Sequence, residues 1–186
     1  MTAIFPRHDR IRTPRLLLRP WHDEDVEPFH AMGQDPEVMR YLGPPLSLDD
    51  CRDAVARCNQ TLLDQGSCFW ALERHADRAF IGFCGVKGGP AGTPIADELE
   101  IGWRLARSAW RQGYALEAAR ATLTWTWANT TAPRVVAITV PANAASRGLM
   151  DRLGMTRLAD GYFDHPALAA GDPLRAHLTY AIERPA

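Results

Sequence analysis

The stretch from Glu98 to Val140 constrains this chain more than any other, because it reads as strand, helix and strand in direct succession. From Glu98 to Leu105 the pattern alternates strictly. Leu99, Ile101, Trp103 and Leu105 fall on one side, and Glu98, Glu100, Gly102 and Arg104 on the other. A period of two marks a strand with one face in a core. After Gly113 a helix carries Leu116, Ala119, Leu123 and Trp127 on one stripe. Arg134 to Val140 is apolar and β-branched, which reads as a buried strand closed by Pro141. Two strands bracketing one long helix are expected to lie parallel in the same sheet.

The rest of the chain reads as mostly antiparallel. Arg15 to Trp21 is a strand interrupted by Pro20, and His22 to Asp25 opens a short helix with acidic residues in its first turn. Gly43-Pro44-Pro45 breaks the chain. Ser47 and Asp50 then form a capping box for a helix running to about Asp64, which Gly66 ends. Cys68 to Leu72 and Phe80 to Val86 read as strands joined by a polar hairpin turn, followed by a loop from Gly88 to Pro94. Asn143 precedes a short helix stopped by Gly154, and two final strands are expected near Met155 to Phe163 and Leu174 to Glu183. The fold class expected is mixed α/β in a single domain over residues 1–186, with residues 1–11 as a flexible N-terminal tail.

Composition narrows the function. With 46% hydrophobic residues in 186, the chain can bury a real core. Its 21 basic and 22 acidic side chains nearly cancel and form no basic run, which argues against a nucleic-acid partner. None of Cys51, Cys58, Cys68 and Cys84 forms a C-x-x-C pair, so no metal is expected and the cysteines read as small core hydrophobes. No apolar run approaches the ~20 residues of a membrane span. No signal-like segment opens the sequence, so a cytoplasmic protein with no membrane partner is expected.

The segment Trp110-Arg111-Gln112-Gly113-Tyr114-Ala115-Leu116-Glu117-Ala118 follows a strand and opens a helix. Unpaired N–H groups at such a terminus hold anions, and a pyrophosphate fits, since Gly113 lets the backbone come close. The dinucleotide pattern G-x-G-x-x-G near the first strand, the Walker pattern and the G-x-S-x-G elbow are all absent.

This segment resembles the coenzyme A loop of the Gcn5-related N-acetyltransferases (GNAT), Q/R-x-x-G-x-G/A before a helix, matched here by Gly113 and Ala115. Trp110, followed by Gly113-Tyr114-Ala115, looks like the ribosomal-protein (RimJ/RimL-type) branch. So does Thr13-Pro14-Arg15-Leu16-Leu17-Leu18-Arg19, similar to an opening T-x-R-L-x-L-R. Leu99-Glu100-Ile101-Gly102-Trp103 resembles the branch's fourth strand. Asn143, Ser146 and Leu153-Gly154-Met155 resemble its second motif. These pieces run in family order from about Arg12 to Ile182.

The resemblance implies a mostly antiparallel sheet of about seven strands with a splayed parallel pair, and about four helices. It implies acetyl-CoA as co-substrate and an amine acceptor, either a small molecule or a peptide or protein N-terminus, in a monomer or homodimer. Ile101, Gly102, Trp103, Arg111, Gln112, Gly113, Tyr114, Ala115, Asn143 and Ser146 would contact the cofactor. Glu100 is the candidate base, the alternative being that Glu98 and Glu100 line a solvated strand face. Asn143 fits a helix cap as well as a bond to the pantetheine arm. Ser146 is either a donor to the departing sulfur or an ordinary first-turn serine. Many relatives place a tyrosine acid where this chain has Met150. His165, His177 and Asp164 are expected to border the acceptor site, with an Asx-type turn the other reading of Asp164. A silent coenzyme A-binding module and a transferase for a longer acyl group are the competing functions.

Overall fold

The computed structural model describes residues Arg10 to Ala186. Eight strands form one sheet in the order β1-β2-β3-β4-β5-β6-β8-β7. They are β1 (Ile11–Arg12), β2 (Leu16–Arg19), β3 (Phe69–Arg74), β4 (Phe80–Gly88), β5 (Leu99–Leu105), β6 (Arg134–Thr139), β7 (Thr156–Asp164) and β8 (Ala176–Glu183). The helices are α1 (Val26–Gly33), α2 (Pro36–Met39), α3 (Leu48–Gln65), α4 (Tyr114–Asn129) and α5 (Ala144–Leu153). Every neighbouring pair of strands is antiparallel except β5 and β6, which α4 connects.

The mixed α/β class is as expected, with two elements more than the sequence suggested. The extra strand is β1, two residues long, in which Ile11 pairs with Leu18 and is buried. Of the tail expected over 1–11, residues 1–9 lie outside the described residues, and Ile11 belongs to the sheet. The extra helix is the single turn α2, started by Pro36 with Asp35 accepting the N–H of Glu37. The capping box forms as predicted: Ser47 Oγ accepts the Asp50 N–H and Asp50 accepts the Ser47 N–H, while Gly66 ends α3 with φ of 75°. Cys51, Cys68 and Cys84 are buried and Cys58 half-buried, all as free thiols. Burial pushes all four thiols up, Cys58 to about 11 and Cys84 to about 12, so each is held as the weakly nucleophilic thiol at neutral pH.

Cross-strand partners share a face of the sheet. The register therefore lays out three rows on one face: Arg19, Ala71, Phe83, Arg104; then Phe69, Gly85, Gly102; then Lys87, Glu100, Val136, Ala181. Over the first row sit Trp21, from the segment before α1, and Val26, Phe29, Met32, Val38, Cys51 and Val55 of α1 to α3, while Phe69 and Phe83 stay half-buried. The opposite face, with Trp70, Leu72, Cys84, Val86, Ile101 and Leu105, packs on Ala118, Ala119 and Leu123 of α4 and Leu149 and Leu153 of α5.

Arg19 is a buried cation, and its placement requires partners. Its Nη1 and Nη2 donate to the two oxygens of Asp25 at 2.6 and 2.9 Å, and its Nε donates to Glu73 Oε2 at 2.8 Å. Arg78 binds the other oxygen of Glu73 at 2.5 Å. Asp25 also accepts the His22 N–H at 2.8 Å, so one carboxylate ties β2 to the start of α1. Asp25→Ala leaves Arg19 half-compensated in the interior and is expected to cost about 3 kcal/mol in urea unfolding; a loss under 1 kcal/mol would show that solvent reaches the pair.

Candidate active site

The parallel ladder between β5 and β6 lasts two residues, Leu99 opposite Val135 and Glu100 opposite Val136. Beyond it the strands part, so Ile101 to Leu105 and Ala137 to Thr139 run on without each other. On its other side β5 stays paired with β4 through Leu105, and β6 with β8 through Thr139. The divergence thus opens a gap between two paired halves of the sheet, lined by backbone groups of β5 that no longer face a partner in β6.

Glu100 stands where the strands separate. Its side chain is 12% exposed, and Lys87 Nζ lies 3.5 Å from Oε2. Burial pushes the carboxyl above the usual glutamate range, with Lys87 opposing the shift. Lys87 in turn lies 5.1 Å over the Phe69 ring. Phe69 rests against Gly102, where an added Cβ would meet the ring at 2.7 Å, so this position has no room for a side chain. Glu98 differs from Glu100: it precedes β5 and accepts two hydrogen bonds from Arg134, one from Nε at 3.0 Å, which occupies it as a structural anchor. Ile101 is buried toward α4, and Trp103 packs on the same core, so both turn only backbone to the gap.

At the far end of β5 the loop to α4 is held from several directions. Trp110 Nε1 donates to the Leu105 carbonyl at 2.8 Å, and Gln112 Nε2 to the Ser108 carbonyl at 2.7 Å. Arg111 and Gly113 both adopt left-handed conformations, φ of 59° and 81°. The first bond of the helix runs from the Glu117 N–H to the Gly113 carbonyl, which leaves the N–H groups of Tyr114, Ala115 and Leu116 ahead of the helical ladder. The Tyr114 side chain is buried, so this residue offers backbone rather than phenol. Such a loop can seat an anion.

Sequence reasoning missed what fixes this loop. Glu117 accepts from Thr13 Oγ1 at 2.6 Å, the Arg15 N–H at 2.9 Å and Arg15 Nε at 2.6 Å. Arg15 also donates to the Gln112 carbonyl at 2.9 Å and lies 4.5 Å over the Tyr114 ring. The turn before β2 and the loop before α4 are therefore one assembly.

On α5, Asn143 Oδ1 accepts the Ser146 N–H at 3.1 Å, which is a helix cap. Ser146 is half-buried in the first turn, and Met150 is wholly buried in the main core. Phe163 lies beside His177, ring centroids 5.7 Å apart, and His165 lies 5.1 Å from His177. Burial and the neighbouring His177 push His165 down. Asp164 pairs with Arg175 at 3.1 Å. Among the described residues no group of three or more His, Cys, Asp and Glu is placed to hold a metal ion, and no helix is long and apolar enough to cross a membrane.

Comparison with known proteins agrees with this geometry. The acetyltransferase (GNAT) domain model matches residues 15–156. The chain belongs to the GNAT family, and it is an acyltransferase of that family. It is 30% identical over 156 residues to the uncharacterized N-acetyltransferase YnaD of Bacillus subtilis, covering 82% of this chain and 85% of that one. The crystal structure of a GNAT-family acetyltransferase from Bacillus anthracis superposes with a TM-score of 0.77 at 26% identity, covering 94% of this chain and 98% of that one. RimL, a ribosomal-protein alpha-N-acetyltransferase solved with coenzyme A, shares the fold with a TM-score of 0.73 at 19% identity, covering 94% and 97%.

The Glu117 latch has a testable energy. Burial pushes its carboxyl up, but the bonds from Thr13 and Arg15 outweigh that and hold it below the usual range. With its folded pKa depressed, the stability it contributes is present above the unfolded value and is lost as pH falls through the folded one. Glu117→Gln is expected to cost about 1–2 kcal/mol at pH 7 in chemical unfolding, the lower end reflecting the exposed Arg15. The difference from the parent should shrink toward pH 3; a constant difference would mean that charge is not its source.

Proposed function

We propose that this protein transfers the acetyl group of acetyl-CoA directly to a primary amine, either a small molecule or a peptide N-terminus, with Glu100 as the base. The observation that carries this reading is a carboxylate pushed up by burial at the point where the two parallel strands part. An alkyl ammonium has no lone pair to attack with, so a proton must leave before the nitrogen meets the thioester carbonyl. Glu100 accepts that proton directly or through a water. A raised pKa makes it a better base than an exposed carboxylate.

The backbone of Ile101 and Gly102 supports the second part of the reading. An N–H at the diverging edge of β5 polarises the thioester oxygen as the tetrahedral centre forms. The carbon–nitrogen bond forms, the carbon–sulfur bond breaks, and coenzyme A leaves as thiol or thiolate. Arg111, Gln112, Gly113, Tyr114 and Ala115 hold the pyrophosphate through backbone N–H groups at the start of α4. Trp103 borders the gap through its backbone. Asn143 and Ser146 flank the pantetheine arm, Asn143 while capping α5, and Ser146 is available to donate to the departing sulfur.

Two measurements test this. Glu100→Gln is expected to lower kcat by about 10²- to 10⁴-fold, while saturating acetyl-CoA still stabilises the variant by about 2.7 kcal/mol at one hundred times its dissociation constant. A base must be deprotonated, so kcat/KM should fall on the acid side of a pKa above the ordinary glutamate range. Because burial raises the folded pKa of Glu100, its charge costs stability as pH rises. The Gln variant should therefore be at least as stable as the parent at pH 7. Retained turnover would remove Glu100 from the mechanism, and loss of the thermal shift would place the defect in cofactor binding.

The loop makes a separate prediction. Gly113→Ala strains a left-handed position and sets a methyl 3.3 Å from Arg15 Nη2. A penalty of about 1–2 kcal/mol on the competent loop should raise KM for acetyl-CoA about tenfold, with a smaller change in kcat. An unchanged KM would exclude the loop from the pyrophosphate site.

A further inference from the structure

On the face that bears Glu100, a second charge stands unaccompanied. Arg104 follows Glu100 by four residues on β5, so its Cα lies ~13 Å further along the same side of the strand. Its guanidinium carbon is 5.4 Å over the Phe83 ring. Phe83 stacks on Phe69 with centroids 5.7 Å apart and planes 13° from parallel, and Lys87 lies over Phe69. The two rings thus carry a cation each. Glu100 answers Lys87. Nothing answers Arg104: its Nε is sealed from solvent without a hydrogen-bond partner, and among the described residues it makes no ion pair.

Arg19 shows what this fold does with a buried arginine that has a structural task. It sits in the same cross-strand row as Arg104, through Ala71 and Phe83, and receives two carboxylates, Asp25 and Glu73. Arg104 is half-buried, with its Nε shut off from water and left without an anion; an arginine fork held in this way is a ready partner for a carboxylate. Cys51 of α3 is the neighbour that acts on Arg104 electrostatically, and its thiol is neutral, since burial pushes it up as well.

We propose that Arg104 is a specificity residue that binds a carboxylate of the acceptor, and that the acceptor is an amine with an anionic group on the order of 10 Å away. The proposal rests on the reading of Glu100 as the point where the amine is deprotonated. The amine end meets Glu100, the chain between lies along the Phe69 and Phe83 rings, and the anionic end neutralises Arg104. A short peptide with an acidic third residue spans this distance when extended.

The test compares the acceptor peptides Ala-Ala-Glu-amide and Ala-Ala-Gln-amide in a thiol-release assay with acetyl-CoA. A charge-assisted fork predicts a KM ten- to a hundredfold lower for the acidic peptide. In Arg104→Met the ratio of the two KM values should collapse to near one, and Arg104→Lys should restore part of it, which a purely structural role would not do. The same pair of peptides is titrated calorimetrically into the coenzyme A-loaded protein, so that the preference is read without turnover. Equal KM and equal affinity for the two peptides in the parent overturn the proposal. So does a ratio that survives Arg104→Met. Glu100→Gln separates the two ideas: it should abolish turnover and keep the binding preference. If it keeps turnover, the base assignment fails while the Arg104 preference is still read directly by titration.

Discussion

A parallel pair of strands that stays together for only two residues governs the rest of this structure. Parallel strands normally run paired through the middle of a sheet, buried on both faces with every backbone group bonded. Here β5 and β6 are each secured on their outer sides, to β4 and β8, while their shared ladder stops at Glu100 and Val136. Two antiparallel halves of one sheet therefore meet at an internal edge. Unpaired backbone groups at such an edge can bond a third party without disturbing any ladder that holds the fold together.

Keeping that edge open requires the elements at its mouth to be anchored elsewhere. The Glu117 carboxylate gathers Thr13 and Arg15 from the turn before β2, and Arg15 reaches on to the Gln112 carbonyl and the Tyr114 ring. Trp110 closes the other side of the loop on the last carbonyl of β5. At the opposite end, Arg134 fixes Glu98 and so sets the start of the two strands side by side. The gap is held between two ion pairs, one beside the point where β5 and β6 begin and one where the helix begins.

The sequence made some of this legible for local reasons. Strict alternation in β5, the Ser47 and Asp50 box, and the glycines ending α3 and α5 all act within four residues, so their spacing alone carries the information. Asn143 was ambiguous between cap and ligand contact because a single residue type serves both; the structure shows the cap. β1 and α2 were missed since two residues and one turn are too short for a periodic signal. The Glu117 latch joins positions more than one hundred apart, and the pairing of Lys87 with Glu100 depends on the register across a long loop. Neither leaves a local trace. Even the resemblance that identified both Thr13-Pro14-Arg15 and the Gly113 loop did not say that the two touch.

Register is also what separates the charged side chains of β5 from the core. Along β5 the odd positions, Ile101, Trp103 and Leu105, enter the layer under α4 and α5 with Trp70, Cys84 and Val86, and none of these side chains is ionised at neutral pH. The even positions, Glu100, Gly102 and Arg104, face the other way, among Lys87, Phe69 and Phe83. A slip of one residue would carry Glu100 and Arg104 beneath α4 and turn Ile101 outward. Burying two charges in an apolar layer costs several kcal/mol each, on the order of the whole stability of a domain. The apolar stripe that makes β5 fold in only one register thus also determines which side the acid and the arginine face, and the same energy that stabilises the core orients the candidate site.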